Sequence, residues 1–125
     1  MIKEQTQLAD ILKERILVLD GAMGTMIQQC ELDESDFRGE LFANHGYDLI
    51  GNNDILCLTN SQIISDIHNK YLESGCDIIE TNTFNSNSIS QADYGTQTYC
   101  YEMNKRAAEI AKKACEIYST SEKPR

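Results

Sequence analysis

Positive charge is scarce in this chain: eleven basic residues face twenty acidic ones, for a net charge of −9. A field of that sign disfavours nucleic acid and anionic membrane surfaces as partners. No apolar run approaches the ~18 residues of a membrane span. Residues Met1–Gln7 lack the apolar core of a secretory signal. The five cysteines, an odd number and widely spread, form no disulfide framework, so a reducing cytoplasmic compartment is expected. Cys30, Cys57, Cys76, Cys100 and Cys115 include no Cys-x-x-Cys and no adjacent pair, which argues against a metal site built from them. His45 and His68 have no partner at ligand spacing and read as surface or packing residues. Gly21-Ala22-Met23-Gly24 lacks the three-glycine spacing of a dinucleotide fingerprint, and no Gly-Lys-Ser/Thr phosphate loop occurs.

What remains is the balance of one globular domain, 41% hydrophobic and 25% charged over 125 residues. Leu8, Ile11, Leu12 and Ile16 recur at helical spacing, so residues 3–15 are expected to be helical. Ile16–Asp20 reads as a strand whose continuous apolar character suits a parallel sheet covered on both faces. Residues 25–58 read as a long irregular connection of the kind used for lids and binding loops, broken by short helical turns such as Met23–Gln29. Thr59-Asn60-Ser61-Gln62 has capping-box spacing ahead of a helix from Asn60 to Ser74. Its buried stripe is Ile63, Ile64, Ile67, Tyr71 and Leu72, and Gly75 is placed to end it in a left-handed conformation. A second strand, Cys76–Thr81, completes a βαβ unit with a right-handed crossover. Tyr99, Met103, Ala107, Ile110, Ala114 and Ile117 predict a long amphipathic helix over 97–118.

Both predicted strands turn polar at their carboxyl ends, where small molecules bind in α/β folds. Asp20 can accept a charge-assisted hydrogen bond from a ligand ammonium. Gly21 allows close backbone approach, and the amides of Ala22 and Met23 suit a ligand carboxylate. Together they would grip the zwitterionic end of an amino acid. Asp20 serves equally as a cap for the following turn. Thr81, Asn82 and Thr83, with Asn85, could hydrogen-bond the same ligand or be ordinary turn residues. Two strands and three helices leave open edges, so the residues read as the first segment of a larger α/β fold.

Several runs resemble the homocysteine S-methyltransferase family. They are Glu14 to Gln28, Asp36-Phe37-Arg38-Gly39-Glu40, Gly51-Asn52-Asn53-Asp54 and Asp77 to Ser86. The Phe-Arg-Gly-Glu and Gly-Asn-Asn-Asp elements are most similar to its cobalamin-dependent methionine synthase branch. The resemblance implies an α/β architecture: the first two β/α units of a (β/α)8 TIM barrel, with 1–125 the N-terminal part of the homocysteine-binding domain and no second domain. It implies a pocket for homocysteine in which Asp20, Gly21, Ala22 and Met23 form the amino-acid-binding turn. Thr81, Asn82 and Thr83 would add to the pocket wall. It also implies that zinc activates the homocysteine thiol and that the methyl group comes from methylcobalamin, regenerated by methyltetrahydrofolate, giving methionine. Partners of such a chain are the remaining barrel strands and the cobalamin and folate modules. The family's zinc cysteines fall on later strands, so neither zinc nor cobalamin is expected on this chain alone, and the isolated chain is expected to be inactive. A small stand-alone amino-acid-binding module without catalysis is the other reading.

Overall fold

Apolar residues at helical spacing set most of the architecture. The structure is a computed structural model and describes residues 8–125. Helix α1 spans Leu8–Glu14, and the part of the expected 3–15 helix before residue 8 lies outside the described residues. Short helices follow at α2 (Met23–Gln28), α3 (Glu34–Arg38) and α4 (Leu56–Thr59), the last entered through a 3-10 turn at Asn53–Ile55. Helix α5 runs Ser61–Glu73, α6 is one turn at Ser88–Gln91, and α7 runs Cys100–Tyr118.

Helices α5 and α7 pack along each other with α4 against both. Ile64, Ile67, Met103, Ala107 and Ile110 meet Ile55, Leu56 and Cys57 in the main core, where full burial of each large aliphatic contributes about 1.5–3 kcal/mol. Leu72, Cys76 and Ala114 form a smaller cluster beside it. Gly75, at φ +103°, ends α5 in the left-handed region as its sequence position predicts.

The stretch 25–58, expected to be irregular, supplies core. Phe37, Phe42 and Leu49 are buried in it. Arg38 holds its loop together, donating to Glu34 Oε1 at 2.8 Å and to the carbonyls of His45 and Tyr47 at 2.7 and 3.0 Å. Glu34 accepts the amides of Leu49 and Ile50, both at 2.6 Å. Gly39 has φ +54°, and a Cβ there would lie 3.0 Å from the Thr59 carbonyl oxygen. Phe37, Arg38 and Gly39 of the Phe-Arg-Gly-Glu run thus serve the fold.

The α/β expectation is corrected. Among the described residues there is no strand and no sheet, hence no βαβ unit and no pair of β/α units of a TIM barrel. Residues 16–20 and 76–81 are extended but joined only by an isolated parallel bridge, Leu19 with Ile78. Three main-chain bonds cross between them: Asp77 N–H and Ile78 N–H to the Val18 carbonyl at 2.7 and 3.2 Å, and Asp20 N–H to the Ile78 carbonyl at 2.9 Å. Side chains take the places where further rungs would form. Asp77 Oδ2 accepts the Val18 amide at 2.9 Å, and Asp20 Oδ2 accepts the Glu80 amide at 3.1 Å. The faces are uncovered too, with Ile16 at 88%, Val18 at 54% and Leu19 at 50% exposure. Two segments without further neighbours do not sustain a ladder.

A second correction concerns capping. Asn60 caps α5 without a side-chain bond, while Asp33 and Asp36 form the reciprocal capping box, at the start of α3.

His68 on α5 is fully buried, and neither ring nitrogen has a hydrogen-bond partner among the described residues. Burial pushes its pKa down, so the folded ring stays neutral where the unfolded ring, with a pKa of ~6.5, takes a proton. Stability is therefore full above that value and is lost as pH falls through it. Urea midpoints measured between about pH 7.5 and 5.5 should fall, and His68→Leu should flatten that part of the profile. An unchanged slope in the variant would contradict this assignment.

Candidate functional site

The bridge brings the two polar tips together. Asp20, Gly21, Ala22 and Met23 from one segment, and Thr81, Asn82 and Thr83 from the other, line one hollow with Gly24, Glu80 and Phe84. Its volume of about 620 Å³ falls within the ~300–1,000 Å³ usual for small-molecule sites.

Asp20 follows the bridge directly, so its position is set by the main chain on both sides. One carboxylate oxygen, Oδ2, accepts the Glu80 amide; the other, Oδ1, is buried with no hydrogen-bond partner among the described residues. Burial pushes the Asp20 pKa above the ordinary carboxylate value, against the opposing effect of the Glu80 amide. A buried acceptor without a partner costs about 1–3 kcal/mol. The alternative role of Asp20, capping α2, is not what the structure shows. Ala22 is the N-cap residue and no side chain caps that helix.

The facing wall is less uniform. Thr81 and Thr83 hydroxyls bond each other at 2.8 Å, so the accepting hydroxyl keeps its own proton to donate elsewhere. Asn82 is buried at 6% exposure, and its Nδ2 donates to the Asn53 carbonyl at 2.9 Å and to Cys57 Sγ at 3.6 Å. Its amide nitrogen therefore ties the wall to the turn before α4. Asn85 is exposed and is not among the lining residues.

No group of three His, Cys, Asp or Glu side chains that could hold a metal ion comes together among the described residues. Cys57 is buried beneath the wall, and that burial pushes its thiol up to about 11. Burial also raises Cys76, Cys100 and Cys115, and none of them joins two further ligand side chains among the described residues. The residues present do not fit a zinc centre. His45 is half-buried and bonded through its ring to the Tyr94 carbonyl at 2.7 Å.

Sequence reasoning missed Glu80 and Phe84 in the lining and Tyr71 behind it. Phe84 is 95% exposed, an aromatic ring standing free at the hollow. Periodicity places Tyr71 on the buried face of α5; its half-buried ring packs against the core, and its hydroxyl donates to the Ala22 carbonyl at 3.0 Å. A Cβ on Gly21 would lie 3.3 Å from that hydroxyl, so glycine lets the turn close on the ring. Tyr71→Phe should lower stability by about 0.5–1.5 kcal/mol in urea unfolding and speed amide exchange at Met23 and Gly24. Wild-type exchange at both amides would show that Tyr71 does not hold the turn.

A model of the homocysteine S-methyltransferase family matches residues 17–125. That range begins one residue before the first bridging carbonyl and takes in every residue lining the hollow. The members of that family are methyltransferases acting on homocysteine, and the chain belongs to it: it is a homocysteine S-methyltransferase family protein.

Proposed function

We propose that the hollow holds the amino-acid end of homocysteine while its sulfur is methylated to give methionine. The observation that carries this reading is the Asp20 carboxylate, fixed through Oδ2 by the Glu80 amide on the lining of a small-molecule-sized hollow. An α-ammonium suits that carboxylate, because it supplies both donors and the opposite charge. The first amides of α2, uncapped by any side chain, favour the α-carboxylate. Thr81 and Thr83 offer a hydroxyl to the same group, and Met23 and Phe84 flank the space left for the side chain.

In the transfer the thiol loses its proton, a sulfur–carbon bond forms, and the bond from methyl carbon to donor breaks with its electron pair staying on the donor. The hollow's ionisable side chains are the carboxyl groups of Asp20 and Glu80, weak bases for a thiol of pKa ~8.5. We therefore assign binding and orientation to this chain, and thiol activation to groups beyond the described residues. Zinc in that role is supported by the family resemblance alone. The methylcobalamin donor is likewise supported by the Phe37-Arg38-Gly39-Glu40 and Gly51-Asn52-Asn53-Asp54 runs. In this chain Arg38 and Asn52 make internal bonds. On its own the chain should bind homocysteine without turnover.

Calorimetric titration of the 125-residue chain with homocysteine tests this. Asp20→Asn keeps an acceptor for the Glu80 amide but removes the charge, and should weaken binding at least tenfold, about 1.4 kcal/mol. Wild-type affinity should also decline as pH falls through the raised Asp20 pKa, because only the ionised carboxylate attracts the ammonium. Equal affinity of the two proteins, or no wild-type binding, would refute the reading.

A further inference from the structure

The turn at residues 52–54 sits behind the hollow, and Asn53 and Asp54 make contacts to residues of its walls. Asn53 Nδ2 lies 3.8 Å from where a Cβ on Gly24 would stand, at the first wall. The Asn53 carbonyl accepts Asn82 Nδ2 at 2.9 Å, at the second. Asp54 Oδ1 accepts the Asn85 amide at 2.9 Å. Residues 53 and 54 thus grip 82 and 85, and the two residues between, Thr83 and Phe84, are lining residues.

We propose that Asp54 is a positioning residue for the amino-acid site, holding the Thr81–Phe84 wall at the distance from Asp20 that the ligand requires. This rests on the reading of the hollow given above. Asp54 is 3% exposed and pairs with no cation among the described residues. Keeping a carboxylate there is costly, and burial pushes its pKa up. What the carboxylate does in return is hold a main-chain amide of the loop that forms the wall. Asn85 is held at its other end as well, since its carbonyl accepts Gln91 Nε2 at 3.0 Å. Gln91 is itself locked to Asn52 by reciprocal amide bonds of 2.9 and 3.0 Å. The wall's own bonds are few: Thr83 N–H to the Thr81 carbonyl at 2.9 Å and Ser86 N–H to the Thr83 carbonyl at 3.2 Å. Those two bonds span three and four residues, so the turn's place is set by its anchors, Asn82 at one end and Asn85 at the other.

The test uses amide exchange and homocysteine titration on the 125-residue chain. In Asp54→Ala, exchange at Thr83 and Ser86 should quicken at least tenfold while α5 and α7 keep wild-type rates. The homocysteine Kd should rise at least tenfold. Asp54→Asn still offers an oxygen to the Asn85 amide and should return both readouts to within threefold of wild type. If the alanine variant does not fold, Asp54→Ser, too short to reach that amide, takes its place. Unchanged exchange at Thr83 and Ser86 would overturn the proposal. So would quickening shared equally by α5 and α7, unaltered homocysteine affinity, or failure of asparagine to rescue. If wild-type protein binds no homocysteine, the functional reading fails, while the exchange comparison still decides whether Asp54 sets the wall.

Discussion

A reciprocal pair of carboxylates holds the two extended segments together. Asp77, on the second, reaches back to the Val18 amide at 2.9 Å; Asp20, on the first, reaches across to the Glu80 amide at 3.1 Å. Between them lies a single parallel bridge, Leu19 with Ile78. The two ends differ electrostatically. Asp77 is buried beside Arg15 at 2.9 Å, with Arg125 at 3.8 Å and Lys123 at 4.0 Å. The Val18 amide, followed by Arg15, holds its carboxyl below the usual range, so it stays ionised. Asp20 has no cation beside it among the described residues and is shifted upward by burial. One carboxylate is satisfied by cations of the fold, and the other lines the hollow with none beside it among the described residues. The functional reading follows from that asymmetry.

Periodicity revealed the helices because their apolar stripes are local. Ile64, Ile67 and Leu72 on α5 and Met103, Ala107, Ile110 and Ala114 on α7 are buried as their spacing predicts. The stripe fails only at its end, where Ile117 is 65% exposed. A continuous apolar run predicts cover on two faces, and residues 16–20 do not have it. Ile16, Val18 and Leu19 are apolar and exposed, and their pattern says nothing about whether neighbours are present. Residues 25–58 misled in the opposite sense. Their Asp, Gly and Asn clusters signal turns, yet Phe37, Phe42, Leu49, Ile55 and Leu56 between them build the centre of the molecule.

Motif reasoning placed both walls of the hollow, since Asp20–Gly21 and Thr81–Thr83 each mark the end of an extended run. It could not find what supports them. Tyr71 meets Ala22 across 49 residues of sequence and Asp54 meets Asn85 across 31, and no local spacing encodes either contact. Nor could it separate Asn82 from its threonine neighbours, although one turns inward to Asn53 and the others bond each other. Family membership and geometry therefore contribute different things. The family gives methyl transfer to homocysteine, and the geometry gives the carboxylate, hydroxyls and amides that can hold an amino acid.

The most direct test is to follow the Asp20 side-chain carboxyl carbon by NMR as a function of pH. It should titrate above the ordinary carboxylate value in the free chain, and its pKa should fall when homocysteine is added, because the ammonium stabilises the ionised form. The deaminated analogue 4-sulfanylbutanoate should leave it where it was. An Asp20 titration unmoved by homocysteine, or moved equally by the analogue, would contradict the account.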